Sequence, residues 1–351
     1  MINLHNYGWN DQLSQLKKVS TYNTLTHGRI AVVHRTCYEV ISEDGLFLCE
    51  LTGNMIYGKS DFELPCTGDW VIFQPLEENK GIIVDMLPRE RTLYRKKSGT
   101  VADKQAIASY VDKAFIVQSL DDNFNVRRAE RFMIQIREER IHPILVLNKA
   151  DLDFDRQKIE EEIRHITCRM PVFFTSIHHP ETILPLKEYI SEGETVVFAG
   201  SSGVGKSSLV NALCEKPVLL TSGISLSTGK GRHTSTRREM VLMEGSGLLI
   251  DTPGVREFGL AIENPDSLAE VLDISDYEKS CRFKDCGHVN EPGCAVLEAV
   301  SNGTLDPKVY ESYLKLRREV WHFSTSEHEK RKKEKSLSKL VDEVKKRKPN
   351  F

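Results

Sequence analysis

Two short stretches carry residues whose types and spacing suit them to hold a nucleotide. Gly200-Ser201-Ser202-Gly203-Val204-Gly205-Lys206-Ser207-Ser208 fits the spacing G-x-x-x-x-G-K-S, with a β-rich apolar run before it and a helix-forming run after it. Glycines at those places let backbone N–H groups curl around phosphate oxygens. The Lys206 ammonium reaches the β and γ phosphates, and the Ser207 hydroxyl is available to Mg²⁺. The following helix turns its positive end toward the same anion. The second stretch, Asn148-Lys149-Ala150-Asp151, ends the apolar run "HPILVL". Its Asp151 carboxylate can accept hydrogen bonds from the N1–H and exocyclic amine of guanine, a donor pair that adenine lacks, so the pattern favours GTP over ATP.

Further residues complete the set. Asp251 in "GLLIDTPG" closes an apolar strand, where a carboxylate holds Mg²⁺ directly or through water, and the Gly254 N–H is placed to sense the γ-phosphate. Ser176 in "FFTSI" suits the loop under the base. These residues resemble the translation-factor-like GTPases, but here the base motif precedes the phosphate loop and the magnesium motif follows it. That order is a circular permutation. A parallel sheet tolerates it because ligands bind at strand C-terminal ends wherever the chain is cut. Val255 occupies the place after D-T-P-G where Ras-like GTPases carry the water-orienting glutamine, and valine cannot do that work. The solitary His233 in "GKGRHTSTRRE" is the candidate replacement, and Thr234 or Thr236 the switch hydroxyl that joins Mg²⁺. Arg232 and Arg237 lie beside them, available to transition-state charge or to an RNA or acidic partner. A mobile switch without that glutamine predicts slow intrinsic hydrolysis and activation by a partner that orders the loop.

A third constellation is Cys281-x4-Cys286-x-His288-x5-Cys294, with Gly287 and Pro292-Gly293 supplying tight turns. Three thiolates and an imidazole fill a tetrahedral zinc shell and leave no position for substrate, so the expected ion is one structural Zn²⁺. The other cysteines, Cys37, Cys49, Cys66, Cys168 and Cys214, are scattered singly and read as small buried hydrophobes in a reducing compartment.

These sites need elements to position them. The chain has 351 residues, 40% hydrophobic and 28% charged, enough for a sizeable core and two or three domains. No apolar run approaches the roughly 20 residues needed to span a bilayer, and the opening residues lack a signal-peptide pattern, so a cytoplasmic protein without membrane contact is expected. Between Thr26 and Pro88, apolar and polar residues alternate in short runs separated by glycine and acidic turns, which predicts a small β-barrel of OB or SH3-like type. From about Asp112, strand patterns alternate with helical ones and predict a parallel α/β sheet covered on both faces. "DPKVYESYLKLRREVWHF" has helical spacing, while the tail from Lys330 onward is strongly basic and reads as a frayed helix or disordered. The formal net charge of -3 argues against general coating of nucleic acid and confines polyanion contact to local patches. Arg29, Arg35 and that tail are the candidate RNA contacts.

The barrel, "NKAD", "GSSGVGKSSLVNAL", "GKGRHTST", "IDTPGVREF" and "CRFKDCGHVNEPGCAV" together resemble the RsgA (YjeQ/YloQ) family of small-ribosomal-subunit-dependent GTPases. The resemblance implies a multidomain α/β protein: an N-terminal OB-fold barrel at residues 1–95, a circularly permuted P-loop GTPase domain at 96–262, and a helical zinc-binding domain with a basic tail at 263–351. It also implies GTP hydrolysis in late maturation of the 30S subunit, stimulated by that subunit and coupled to release, with contact to its rRNA and His233 taking part in hydrolysis. A monomer is the default expectation. Gly203 stands where potassium-using GTPases place an asparagine, so potassium dependence is not expected. The alternative is a GTP-regulated RNA-binding switch acting on another ribosomal particle or on tRNA.

Overall fold

A computed structural model describes residues 1–96, 104–167, 170–215, 239–250, 268–269 and 271–324. Chain contacts group into two compact units, Met1–Ala261 and Ile262–Phe351.

The first unit opens with strands β1 (Thr26–Val33), β2 (Tyr38–Ser42), β3 (Gly45–Leu51), β4 (Trp70–Leu76) and β5 (Lys80–Met86), which close into a barrel in the order β1-β2-β3-β5-β4. β3 and β5 run parallel, and the remaining pairs are antiparallel. A parallel neighbour requires the chain to leave the edge and return. Here β4 is laid between β3 and β5 in sequence, giving the five-stranded Greek-key closure of the OB-fold. Alternation along β4 serves two cores. Val71 and Phe73 face the barrel interior with Ile30, Val40, Phe47, Cys49 and Ile83. Trp70 and Ile72 face outward and pack with Leu4, Leu13 and Leu87. Leu13 lies on the helix Asp11–Val19, started by the Asn10 side chain, which accepts from the Leu13 N–H at 3.0 Å.

A hairpin of β6 (Leu93–Lys96) and β7 (Lys104–Ala108) follows in the chain. Then come β8 (Lys113–Ser119), β9 (His142–Asn148), β10 (Val172–Thr175), β11 (Thr195–Ala199), β12 (Met240–Leu242) and β13 (Leu248–Ile250), forming a six-stranded sheet in the order β10-β9-β8-β11-β13-β12. The interior pairs are parallel, so the C-terminal ends of β8, β9, β10, β11 and β13 share one edge. The expectation of a parallel sheet fails only at β12, an edge strand antiparallel to β13. A short turn joins the two, closed by the Met243 N–H donating to Gly247 O at 3.0 Å, and so short a link permits no crossover. Phe115, Val117, Val146, Val196, Phe198 and Leu209 make the buried centre. Of the scattered cysteines, Cys49 and Cys66 are buried and Cys37 and Cys214 half-buried, while Cys168 lies outside the described residues.

The second unit contains the helices Ser275–Lys279, Ala295–Ser301 and Pro307–Ser324, with the cysteine loop between the first two. Among the described residues no helix is long and apolar enough to cross a membrane.

Candidate functional site

Strand register brings the base motif and the phosphate loop together. Asn148 ends β9, paired with Ser119 of β8 on one side and Thr175 of β10 on the other. Its side chain is buried, accepts from Thr175 Oγ1 at 3.1 Å and donates through Nδ2 to Val204 O at 2.8 Å. That last bond ties the base motif to the middle of the phosphate loop, which leaves the C-terminal end of β11. The Val204 side chain is fully buried in the sheet core and anchors the loop from below, while Ser202 and Gly203 are exposed at its crest.

Two glycines permit this approach. Gly200 has φ +152°, and a Cβ there would meet Val117 O at 2.4 Å; Gly205 has φ +94°, and a Cβ there would meet Asn148 Nδ2 at 2.2 Å. Gly205→Ala therefore forces the loop away from Asn148 as well as straining the backbone. Left-handed strain alone costs roughly 1–2 kcal/mol, so GDP affinity is expected to fall by about tenfold or more, measured with a fluorescent nucleotide. Retention of wild-type affinity would show that the Asn148 link is dispensable.

Lys206 opens the helix Lys206–Leu213, and its Nζ donates to Gly200 O at 2.7 Å and Ser201 O at 2.6 Å. The ammonium thus closes across the loop it springs from. Ser207 and Ser208, in the first turn of the same helix, are half-buried. On the base side, the Ser176 hydroxyl donates to Asp151 Oδ1, and this bond holds the Asp151 carboxyl below its ordinary range. Ser176 is itself held by its N–H donating to Thr182 Oγ1 at 2.9 Å. An ionised, oriented carboxylate over a serine is the arrangement that guanine's two donors require.

The second half of the expected site, His233, Thr234, Thr236, Asp251 and Gly254, lies outside the described residues, as do Arg232, Arg237, Val255 and the basic tail. Arg29, expected to meet RNA, is instead 1% exposed. Its guanidinium donates to Gly68 O at 3.0 Å and Tyr7 O at 2.6 Å and lies near the Ser109 and Tyr110 carbonyls. It cross-links loops around the barrel, because the β1 position it occupies faces the protein. Arg35, in the β1–β2 loop, is exposed.

The structure adds residues that the motifs do not name. Asp121, in the loop after β8, accepts from Lys149 Nζ at 2.7 Å, Ser119 Oγ at 2.6 Å and the Asn123 N–H at 2.9 Å. Burial pushes its carboxyl up, but those hydrogen bonds outweigh it and hold it at about 2. Lys149, at φ +62°, is thereby aimed along the base site. "SLDDN" offered one signal, carboxylates at a strand C-terminal end, but pairing with Lys149 depends on the β8–β9 register.

In the second unit the ligand atoms of Cys281, Cys286, His288 and Cys294 lie within 4.8 Å of one another. Cys281 Sγ is 3.9 Å from Cys294 Sγ and 3.6 Å from His288 Nδ1, which is 3.4 Å from Cys294 Sγ. A tetrahedron with zinc–sulfur bonds of about 2.3 Å has edges of roughly 3.8 Å, so the donor set fits the ion. Glu278 supports it unannounced by any motif. Its Oε1 lies 3.0 Å from His288 Nε2 and accepts from Tyr313 OH at 2.6 Å, which leaves Nδ1 as the ligand atom. The helix Pro307–Ser324 braces the same loop through Tyr310 OH to His288 O at 2.7 Å and Arg317 Nη1 to Gly287 O at 3.0 Å.

Comparison with known proteins agrees with this geometry. A family model described as RsgA GTPase matches residues 86–261. The chain is 76% identical over 349 residues, 99% of this chain and 98% of the relative, to the small ribosomal subunit biogenesis GTPase RsgA 1 of Bacteroides thetaiotaomicron. The crystal structure of YjeQ from Thermotoga maritima is similar with a TM-score of 0.63 and 27% identity, covering 84% of this chain and 98% of that one. The crystal structure of YloQ, described as a circularly permuted GTPase, matches with a TM-score of 0.63 and 25% identity over 86% of this chain and 97% of that one.

Proposed function

The chain belongs to the RsgA GTPase family, and from that premise we propose that it hydrolyses GTP to GDP and phosphate in late maturation of the 30S ribosomal subunit, accelerated by that subunit and leaving it after hydrolysis. One observation carries the guanine-nucleotide part of this reading: Asn148 Nδ2 donates to Val204 O at 2.8 Å, joining the base motif to the phosphate loop on one sheet edge.

Gly200 to Ser208 cradle the phosphates, Lys206 turns from the loop carbonyls to the β and γ phosphates, and Asp151 with Ser176 holds the base between Asn148 and Lys149. Ser207 and Asp251 would hold Mg²⁺, which when bound would supply positive charge against the phosphates. Gly254 senses the γ-phosphate, Thr234 or Thr236 would supply the switch hydroxyl to Mg²⁺, and His233 orients the attacking water. With Val255 in the glutamine position, His233 depends on a partner to order its loop. That dependence makes the subunit both trigger and timer. Cys281, Cys286, His288 and Cys294 hold one structural Zn²⁺. The parts divide as barrel 1–95, GTPase 96–262 and zinc domain with basic tail 263–351. The protein works in the cytoplasm as a monomer, meeting rRNA through local basic surface such as Arg35.

The test is turnover of GTP by the full chain alone, then with small subunits, large subunits or tRNA, with ATP as control. Slow basal hydrolysis, accelerated at least about tenfold by small subunits only, is expected. His233→Ala keeps GTP binding and loses that acceleration. Acceleration by large subunits or tRNA in place of small subunits would transfer the activity to another particle and overturn the assigned partner.

A further inference from the structure

The phosphate loop meets a second cation besides Lys206. The helix Val126–Glu138 starts directly after the β8 loop, where the Asn125 side chain accepts from the Arg128 N–H at 3.0 Å. Long side chains on a helix lean toward its N-terminus. The half-buried Arg128 does so, and its Nη1 donates to Ser201 Oγ at 2.9 Å and lies 3.4 Å from Asn123 O. Lys206 Nζ lies 2.6 Å from the carbonyl oxygen of the same Ser201. Two cations from different elements therefore converge on one residue of the phosphate loop.

Among the described residues, the Arg128 side chain meets only neutral oxygens, and the loop's own carboxylate Asp121 is engaged by Lys149. A guanidinium presents five donors in a planar fork suited to phosphate. Arg128 thus brings a positive charge without an anionic partner among the described residues to the second residue of a phosphate-binding loop, and the terminal phosphate of a bound nucleotide is an anion of the kind its fork suits.

We propose that Arg128 is an arginine supplied from within the chain to the hydrolysis step. This rests on the GTPase reading. With GTP in place the side chain leaves the Ser201 hydroxyl, and its fork meets oxygens of the γ-phosphate. The water oxygen then bonds to the γ phosphorus as the bond from phosphorus to the β–γ bridging oxygen breaks. GDP keeps that electron pair, and the proton from water ends on the released phosphate. Arg128 exchanges no proton and stabilises charge over the transferring group. It sits in the first turn of the helix Val126–Glu138, just after the loop whose Asp121 accepts from Lys149 of the base motif.

The test compares wild type, Arg128→Ala and Arg128→Lys as full chains. The readouts are GDP affinity, affinity for the slowly hydrolysed analogue GTPγS, single-turnover GTP hydrolysis with and without small subunits, and the thermal midpoint. In Arg128→Ala, GDP affinity stays within about twofold, GTPγS affinity drops by roughly tenfold, and single-turnover hydrolysis slows by about 10²–10³-fold, against 10³–10⁵ for arginines supplied by partners. Arg128→Lys recovers only part of the rate, because an ammonium lacks the planar fork. If GDP and GTPγS affinities fall together, Arg128 merely props the loop and the proposal is overturned. An unchanged rate also overturns it. Should Arg128→Ala fail to fold, Arg128→Lys carries the same comparison of GDP with GTPγS. If wild type turns over no GTP under any condition, the proposed hydrolysis fails by itself, and the ratio of the two affinities still decides whether Arg128 faces the γ-phosphate.

Discussion

Asp151→Asn is expected to weaken GTP binding by about 10³–10⁵-fold and to create affinity for xanthosine triphosphate in its place. The Ser176 hydroxyl donates to Asp151 Oδ1 and keeps that carboxylate ionised. Two acceptor oxygens then face the N1–H and 2-amine of guanine. An asparagine replaces one oxygen with an NH₂ group, so a donor meets a donor and buried groups on both sides lose their partners. Xanthine carries an oxygen at the position of that amine and accepts from the new NH₂. Asn148 and its bond to Val204 are untouched by the change, so the phosphate loop keeps its shape and the loss belongs to the base. Titration of both nucleotides measures the exchange. A variant that still binds GTP within about tenfold of wild type, with no gain for the xanthine nucleotide, would place the base elsewhere.

Removing the zinc proposed for the cysteine loop is expected to unfold the unit Ile262–Phe351 while leaving Met1–Ala261 folded. Structural zinc contributes about 10–16 kcal/mol in small zinc peptides, as much as the roughly 5–15 kcal/mol that stabilises a whole domain. The loop between Cys281 and Cys294 has little apolar core of its own. Its carbonyls at Gly287 and His288 are where Arg317 and Tyr310 of the helix Pro307–Ser324 attach. When the loop opens, that helix loses its anchor. Cys286→Ser, or treatment of the full chain with a strong chelator, should therefore remove helical signal and expose residues 281–324 to protease, with nucleotide binding retained. Glu278→Gln gives the graded version. The His288 ring keeps a partner but loses the charged one, and metal affinity should fall about 10–100-fold. A chelated protein whose second unit resists protease as before would show that the cluster folds without the ion.

Chemistry was readable wherever it depends on a local run of residues. The phosphate loop, the base motif and the Cys–His set are each contained in a short segment, since one turn or loop presents all their ligand atoms. Their order along the chain exposed the permutation before any strand was placed, because the sheet edge collects its loops regardless of connectivity. Alternating and helical runs likewise marked the barrel strands and the α/β pattern. The type of barrel was not legible, since alternation along β3 and β5 says which face is buried and nothing about the parallel pairing between them. Direction was equally hidden: Arg29 read as a basic loop contact and is a buried cross-link among carbonyls. The partners that tune the sites, Asp121 on Lys149, Arg128 on Ser201 and Glu278 on His288, come from other segments of the chain. Local sequence carries the atoms that touch a ligand. Only strand order and helix packing decide which distant charges stand behind them.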